Sequence, residues 1–151
     1  MVKEGERAPD FSLADADGST VRLSDFRGSV VVLYFYPRDD TPGCTKEACS
    51  FRDTHDAILA RKAVVLGVSA DTVQSHGKFR DKYGLPFTLL ADPERAAIEA
   101  YGVWVEKKMY GKTVHGVQRS TFVIGPDGVV LRVFPKVNPE GHAEEVLASL
   151  A

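Results

Sequence analysis

The strongest constraint in this chain is the run Val30-Val31-Val32-Leu33-Tyr34-Phe35-Tyr36, which is β-branched and aromatic and has no polar alternation. A strand with one face in water alternates apolar and polar side chains. One that lacks the alternation is covered on both faces. The run therefore predicts a central strand sandwiched between helices. It falls far short of the 18 or more residues needed to cross a bilayer, so it predicts no membrane span.

The flanking pattern extends this reading. Pro37 ends the strand and a helical pattern runs from Pro42 to Lys62. Ala63 to Val68 reads as a second buried strand, followed by a helix capped by Asp71, running to Lys82 and stopped by Gly84. Phe87 to Leu90 reads as a third strand, and Asp92-Pro93 as an N-cap with proline at the first helical position. Before the central run, Phe11 to Leu13 and Thr20 to Leu23 flank the turn signal Asp15-Ala16-Asp17-Gly18, which predicts an N-terminal β-hairpin. Val103 to Gly116 is mixed and reads as a loop. Thr121 to Ile124 and Val129 to Phe134 flank Gly125-Pro126-Asp127-Gly128, a second hairpin, and Asn138-Pro139 is read as the start of a last helix. No repeat or linker interrupts the 151 residues, which are read as one domain, 1–151. The expected architecture is an α/β domain, a three-layer α/β/α sandwich with a mixed central sheet that opens with a β-hairpin.

Composition narrows the function. A chain of this length buries about two-thirds of the surface it exposes when unfolded, so it needs no disulfide or metal to fold. A net charge of -2 lacks the basic excess of a nucleic-acid binder. The opening Met1 to Arg7 is charged and is followed by no apolar signal core, which points to the cytoplasm. In that reducing compartment the two cysteines are expected to be catalytic, redox-sensing or metal-binding rather than a lasting bridge.

The cysteines lie in Pro37-Arg38-Asp39-Asp40-Thr41-Pro42-Gly43-Cys44-Thr45-Lys46-Glu47-Ala48-Cys49, the join between the central strand and the first long helix. Loops at the carboxyl ends of parallel strands are where α/β proteins hold ligands. With Thr41 as N-cap and Pro42 as the first helical residue, Cys44 falls in the first turn, where unpaired N–H groups and the helix dipole favour an anion such as a thiolate. Helical spacing puts Cys44, Ala48, Phe51, His55 and Ile58 on one inward face and Cys49 with Arg52, Asp53 and Asp56 on the other. In a regular helix, residues five apart have Cα atoms about 8.5 Å apart and point about 140° away from each other. A disulfide needs roughly 7 Å or less. A Cys44–Cys49 bond therefore requires the first turns to unwind.

A cysteine on an apolar helix face is often a small buried hydrophobe, but its place after a strand, a Thr-Pro cap and a glycine favours chemistry here. Two cysteines at this spacing with scattered histidines do not make a zinc set. No histidine sits in a motif that would build a Cys-His protease, and His55, His76, His115 and His142 are given no role. Tyr34, Phe35, Tyr36 and Phe51 read as core, and Trp104 as either a pocket wall or a gap filler.

The run from Tyr36 to Asp53, with Thr41-Pro42-Gly43-Cys44 in a Pro-x-x-x-Thr-x-x-Cys frame, closely resembles the active site of peroxiredoxins, in particular the peroxiredoxin Q or bacterioferritin comigratory protein branch. Ala8-Pro9-Asp10-Phe11 and Gln118-Arg119-Ser120-Thr121-Phe122 also match, so the resemblance covers the chain. It implies a thioredoxin-like fold with an N-terminal β-hairpin extension, a peroxidatic cysteine at Cys44, a resolving cysteine at Cys49, and supporting roles for Pro37, Thr41 and Arg119.

The implied reaction is reduction of hydrogen peroxide and organic hydroperoxides, with no metal and no organic cofactor. The Cys44 thiolate takes one oxygen and becomes a sulfenic acid, which Cys49 resolves as an intramolecular disulfide. Thioredoxin or a similar dithiol then reduces that bond. Peroxide would be bound by Thr41, Gly43, Cys44 and Arg119, with Thr41 equally readable as a plain N-cap and Arg119 as an edge charge. Pro37 would fix the loop and shield the sulfur. Glu47 would either orient an arginine or complement the helix dipole, the second being the preferred reading. Intramolecular resolution needs no partner subunit, which suits a monomer or weak dimer. The alternatives are a thioredoxin-like disulfide oxidoreductase, which normally keeps its cysteines as Cys-x-x-Cys, and a redox-sensing switch protein.

Overall fold

The computed structural model describes residues 1–150. The central run forms β3 (Val30–Phe35), in a sheet whose other strands are β1 (Ser12–Asp15), β2 (Thr20–Arg22), β4 (Ala63–Ser69), β5 (Thr88–Ala91), β8 (Ser120–Ile124) and β9 (Val130–Phe134). Their spatial order is β2-β1-β5-β4-β3-β8-β9. β3, β4 and β5 are parallel, while β1, β2, β8 and β9 pair antiparallel. The sheet is mixed, as expected.

The unalternated strand is covered on both sides. Val31, Leu33 and Phe35 join one apolar cluster with Leu66, Leu90, Phe122 and Ile98 of the short helix α3 (Ala96–Ala100). Val32, Tyr34 and Tyr36 join the other, beneath α1 (Pro42–Ala60), α2 (Val73–Tyr83) and α4 (His142–Ser149). Phe51 of α1 is fully buried and stacks on Tyr34 with ring centroids 4.8 Å apart, and burying such a side chain is worth roughly 1.5–3 kcal/mol. The Tyr34 ring lies over Gly67, its register partner in β4, where a Cβ would fall 2.8 Å from the ring. Glycine is what lets the two strands and the ring coexist. This packing seats α1 across the carboxyl end of β3.

Four expectations need correction. Val103 to Gly116 is a hairpin of β6 (Trp104–Met109) and β7 (Lys112–Val117), closed by Tyr110 and Gly111 at φ 53° and 75°. Positive φ at both turn positions matches strand twist, and the largely exposed ribbon carries no apolar period to reveal it. The expected N-terminal hairpin is present as β1 and β2, and β1 pairs with β5, which joins it to the main sheet. The last helix begins at His142, since Asn138 forms a turn by accepting from the Glu140 N–H and Gly141 takes φ 73°. The helix after Asp92-Pro93 begins only at Ala96, with Arg95 as N-cap at φ 61°, although the Asp92 carboxylate still accepts from the Ala96 and Ile98 N–H groups. Thr72, not Asp71, caps α2 by accepting from the Ser75 N–H. Asp71 is engaged elsewhere.

Candidate active site

α1 begins as its sequence dictates, with Thr41 extended at φ -97° and Pro42 at the first helical position. The first intrahelical bond runs from the Thr45 N–H to the Thr41 carbonyl. The N–H groups of Gly43 and Cys44 precede that bond, so they have no partner within the helix and face an incoming anion. Cys44 points inward beside Ala48 and Phe51 and is only 2% exposed. Cys49 is half-buried on the opposite side, and both thiols are free. The separation into an inner and an outer sulfur follows the helical spacing.

Arg119 comes from the residue before β8, on the strand antiparallel to β3. Its guanidinium donates to Cys44 Sγ at 3.2 Å through one nitrogen and to Glu47 Oε1 at 2.7 Å through another. This contact joins residues 75 positions apart in sequence. Glu47 is completely buried, so its role is to hold Arg119, and the dipole reading is overturned. Its position three residues after Cys44 was visible in the sequence; the burial that decides its partner was not.

The charges in this triangle are balanced by burial. Burial pushes the Glu47 carboxyl up to about 7, against the opposing pull of Arg119. Its Oε2 has no hydrogen-bond partner and is the natural site for the proton. Burial works against the Arg119 charge as well, but Glu47 and the Cys44 sulfur outweigh it and hold the guanidinium above its ordinary range. With Glu47 partly protonated near neutrality, much of the arginine's positive charge is directed at the sulfur.

This has a measurable consequence. An acid raised from 4.5 to about 7 on folding binds more protons folded than unfolded between those values. Its stabilising contribution is full below 4.5 and is lost as pH rises through 7. Glu47→Gln is therefore expected to remove a downward slope of stability over that window, read as the difference between wild-type and variant denaturation midpoints. Parallel pH profiles would show the carboxyl to be ionised throughout.

Thr41 is half-buried, and its hydroxyl donates to the Arg38 carbonyl at 2.9 Å instead of capping the helix. With its hydrogen committed, the oxygen is left as an acceptor, the complement of a hydroperoxide O–H. Gly43 packs under Arg119: a Cβ there would lie 3.2 Å from the guanidinium and 3.6 Å from Pro139. Pro37 is exposed two residues after the last residue of β3 and stops the strand from continuing. Trp104 stands apart from the cysteines, under the Arg95 guanidinium and stacked on His115. Asp39 and His76, neither of which has a role in the sequence reading, are both buried, Asp39 within the Cys44 loop and His76 against it.

A buried sulfur at a helix start with an arginine donating to it is the geometry expected of a peroxide-reducing thiol. Residues 5–133 match the family described as AhpC/TSA. The chain belongs to the AhpC/TSA family. Peroxiredoxin Bcp of Bacillus subtilis strain 168 is 47% identical over 149 residues, covering 99% of this chain and 95% of its own. Peroxiredoxin Bcp of Escherichia coli K12 is 43% identical over 146 residues, with coverages of 97% and 94%. Among solved structures, the bacterioferritin comigratory protein of Xanthomonas campestris, studied in trapped intermediate and ligand complexes for alkyl peroxide reduction, superposes with a TM-score of 0.89. It is 41% identical, over 93% of this chain and 89% of that one. A cysteine-to-serine variant of Xylella fastidiosa PrxQ gives a TM-score of 0.95 at 37% identity, over 99% and 96%. This AhpC/TSA member is thus a thiol-dependent peroxidase with the thioredoxin-like peroxiredoxin fold.

Proposed function

We propose that the protein reduces hydrogen peroxide and organic hydroperoxides through Cys44, with Cys49 as resolving cysteine. The observation that carries this reading is the donation from Arg119 to Cys44 Sγ at 3.2 Å, at the start of α1. The thiolate attacks one peroxide oxygen, the O–O bond breaks, and the other oxygen leaves as hydroxide or alkoxide and takes up a proton. Arg119 and the Cys44 N–H stabilise the charge that develops on the departing oxygen. Thr41 Oγ1 accepts from the substrate and aims it, Gly43 leaves room for the guanidinium, and Pro37 fixes the loop.

Cys44 sulfenic acid then condenses with the Cys49 thiol, releasing water and forming the disulfide. Both sulfurs belong to one continuous helix, so its first turns open in this step. A groove beside Cys49, with Lys46, Asp53 and Glu144 on its walls, gives a dithiol such as thioredoxin access to the bond. Resolution within one chain suits a monomer or weak dimer, and a reducing cytoplasm supplies the dithiol. Among the described residues no helix is long and apolar enough to cross a membrane.

Turnover with hydrogen peroxide and with a bulky organic hydroperoxide, each driven by thioredoxin or glutaredoxin, tests the reading. Thioredoxin is expected to sustain consumption of both peroxides. Oxidation of Cys44 that no dithiol can reverse would mark a redox switch instead.

A further inference from the structure

Asp39, five residues before Cys44 in the active-site loop, is buried at the centre of a polar cluster. Its carboxylate accepts from Tyr36 Oη at 2.5 Å and Ser75 Oγ at 2.8 Å, and faces His76 Nδ1 at 2.7 Å. Its backbone N–H donates to Asp71 Oδ2 at 2.8 Å, which also accepts from Ser69 Oγ at 2.6 Å. The other His76 nitrogen lies 2.9 Å from the Leu90 carbonyl in β5. That carbonyl only accepts, so Nε2 donates to it, and the His76 ring bridges β5 and Asp39. The next residue, Asp40, stands at φ 55° and accepts from Lys82 Nζ and Tyr83 Oη at the far end of α2, each at 2.7 Å.

The two loop acids thus reach opposite ends of one helix. The Asp40 contacts are exposed and weak, whereas the Asp39–His76 contact is dry and strong. We propose that α2 is a splint for the Cys44 loop. In it, Asp39 and His76 are a positioning pair that holds Thr41 and Cys44 in the peroxide-binding arrangement and sets the N-terminal limit of the unwinding that lets Cys49 reach Cys44. The proposal rests on the thiol-peroxidase reading above. Neither residue touches substrate; each acts through the loop. Tyr36 is tied to β4, and Asp39 to Asp71, to α2 and through His76 to β5, so opening of α1 starts at Asp40, where the backbone is already in the left-handed region.

Splint and simple filler differ in one experiment. His76→Leu alone strands the Asp39 carboxylate and is expected to melt at lower temperature. Asp39→Ala/His76→Leu removes the buried charge together with its partner and is expected to regain part of that loss, Tyr36 Oη and Ser75 Oγ having lost their acceptor, while its loop stays untied. In a Cys49→Ser background the double variant should form Cys44 sulfenic acid at least about tenfold more slowly with hydrogen peroxide, because misplacing reacting groups by an ångström is that costly. With both cysteines present, mass spectrometry follows the competition at the sulfenic acid. Condensation with Cys49 gives the disulfide and water, whereas a second peroxide gives the sulfinic acid and water. An untied loop opens sooner, so the sulfinic share at fixed peroxide should fall.

A double variant that is stable and shows wild-type oxidation and partition overturns the splint. If the double variant does not fold, Ser75→Ala decides: loss of one hydrogen bond to Asp39 should shift the partition the same way by up to about fivefold, and an unchanged partition overturns the proposal. A wild-type chain whose Cys44 resists peroxide would instead overturn the peroxidase reading. Wild-type oxidation matched by the variants sinks the splint alone.

Discussion

Replacing Cys44 by serine is expected to abolish peroxide turnover. A serine hydroxyl is un-ionised at neutral pH and forms no sulfenic acid, and no other group in the site can accept the oxygen. Cys49→Ser is expected to behave differently. Its Cys44 still reacts, consuming one equivalent of peroxide to reach the sulfenic acid, but does not turn over because that acid has no intramolecular partner and excess peroxide only carries it on to the sulfinic acid. Far-ultraviolet circular dichroism adds a structural arm. The wild-type chain should lose helix signal as its disulfide forms, since the bond cannot close across an intact turn of α1, and Cys49→Ser should keep that signal. Turnover by Cys44→Ser would falsify the assignment, and a bridged protein with unchanged helix content would remove the unwinding step.

Arg119→Ala is expected to slow Cys44 oxidation by about 10²–10³-fold, the usual effect of deleting one donor aimed at developing charge. Stability should change in a pH-dependent way. Removing one partner of a buried ion pair costs about 3–5 kcal/mol when the other remains charged. Glu47 escapes much of this cost by holding its proton. Burial already raises it to about 7 with Arg119 present, and without Arg119 it rises further. The variant should therefore be close to wild type in stability at pH 5 and lose up to about 1.4 kcal/mol per pH unit above 7. Stopped-flow oxidation and urea denaturation at several pH values check both effects. A variant with wild-type rates would place Arg119 outside the chemistry.

The part of this protein written locally was legible. The unalternated Val30–Tyr36 run required a strand covered on both faces, and Thr41-Pro42 required a helix to begin there. The 3.6-residue period then sent Cys44 inward and Cys49 to the other side. Each inference uses neighbours within a few residues, where backbone geometry leaves little choice. The β6–β7 hairpin escaped because an exposed ribbon needs no apolar period, and the late start of α4 because a glycine in the left-handed region outweighed the Asn-Pro signal.

The electrostatics of the site were decided only by tertiary packing. Glu47 and Arg119 are 72 positions apart, and Asp39 and His76 are 37 apart; no local pattern says that either pair meets. Sheet order brings Arg119 beside Cys44, because β8 lies next to β3. The crossing of α1 over Tyr34 buries Glu47 and so determines whether its carboxyl is a surface charge or a proton-holding anchor for the arginine. Sequence alone placed the sulfur at the helix start, since that depends on the chain's own turn. What surrounds the sulfur depends on which distant strands and helices close over it, since desolvation and charge pairing act through space.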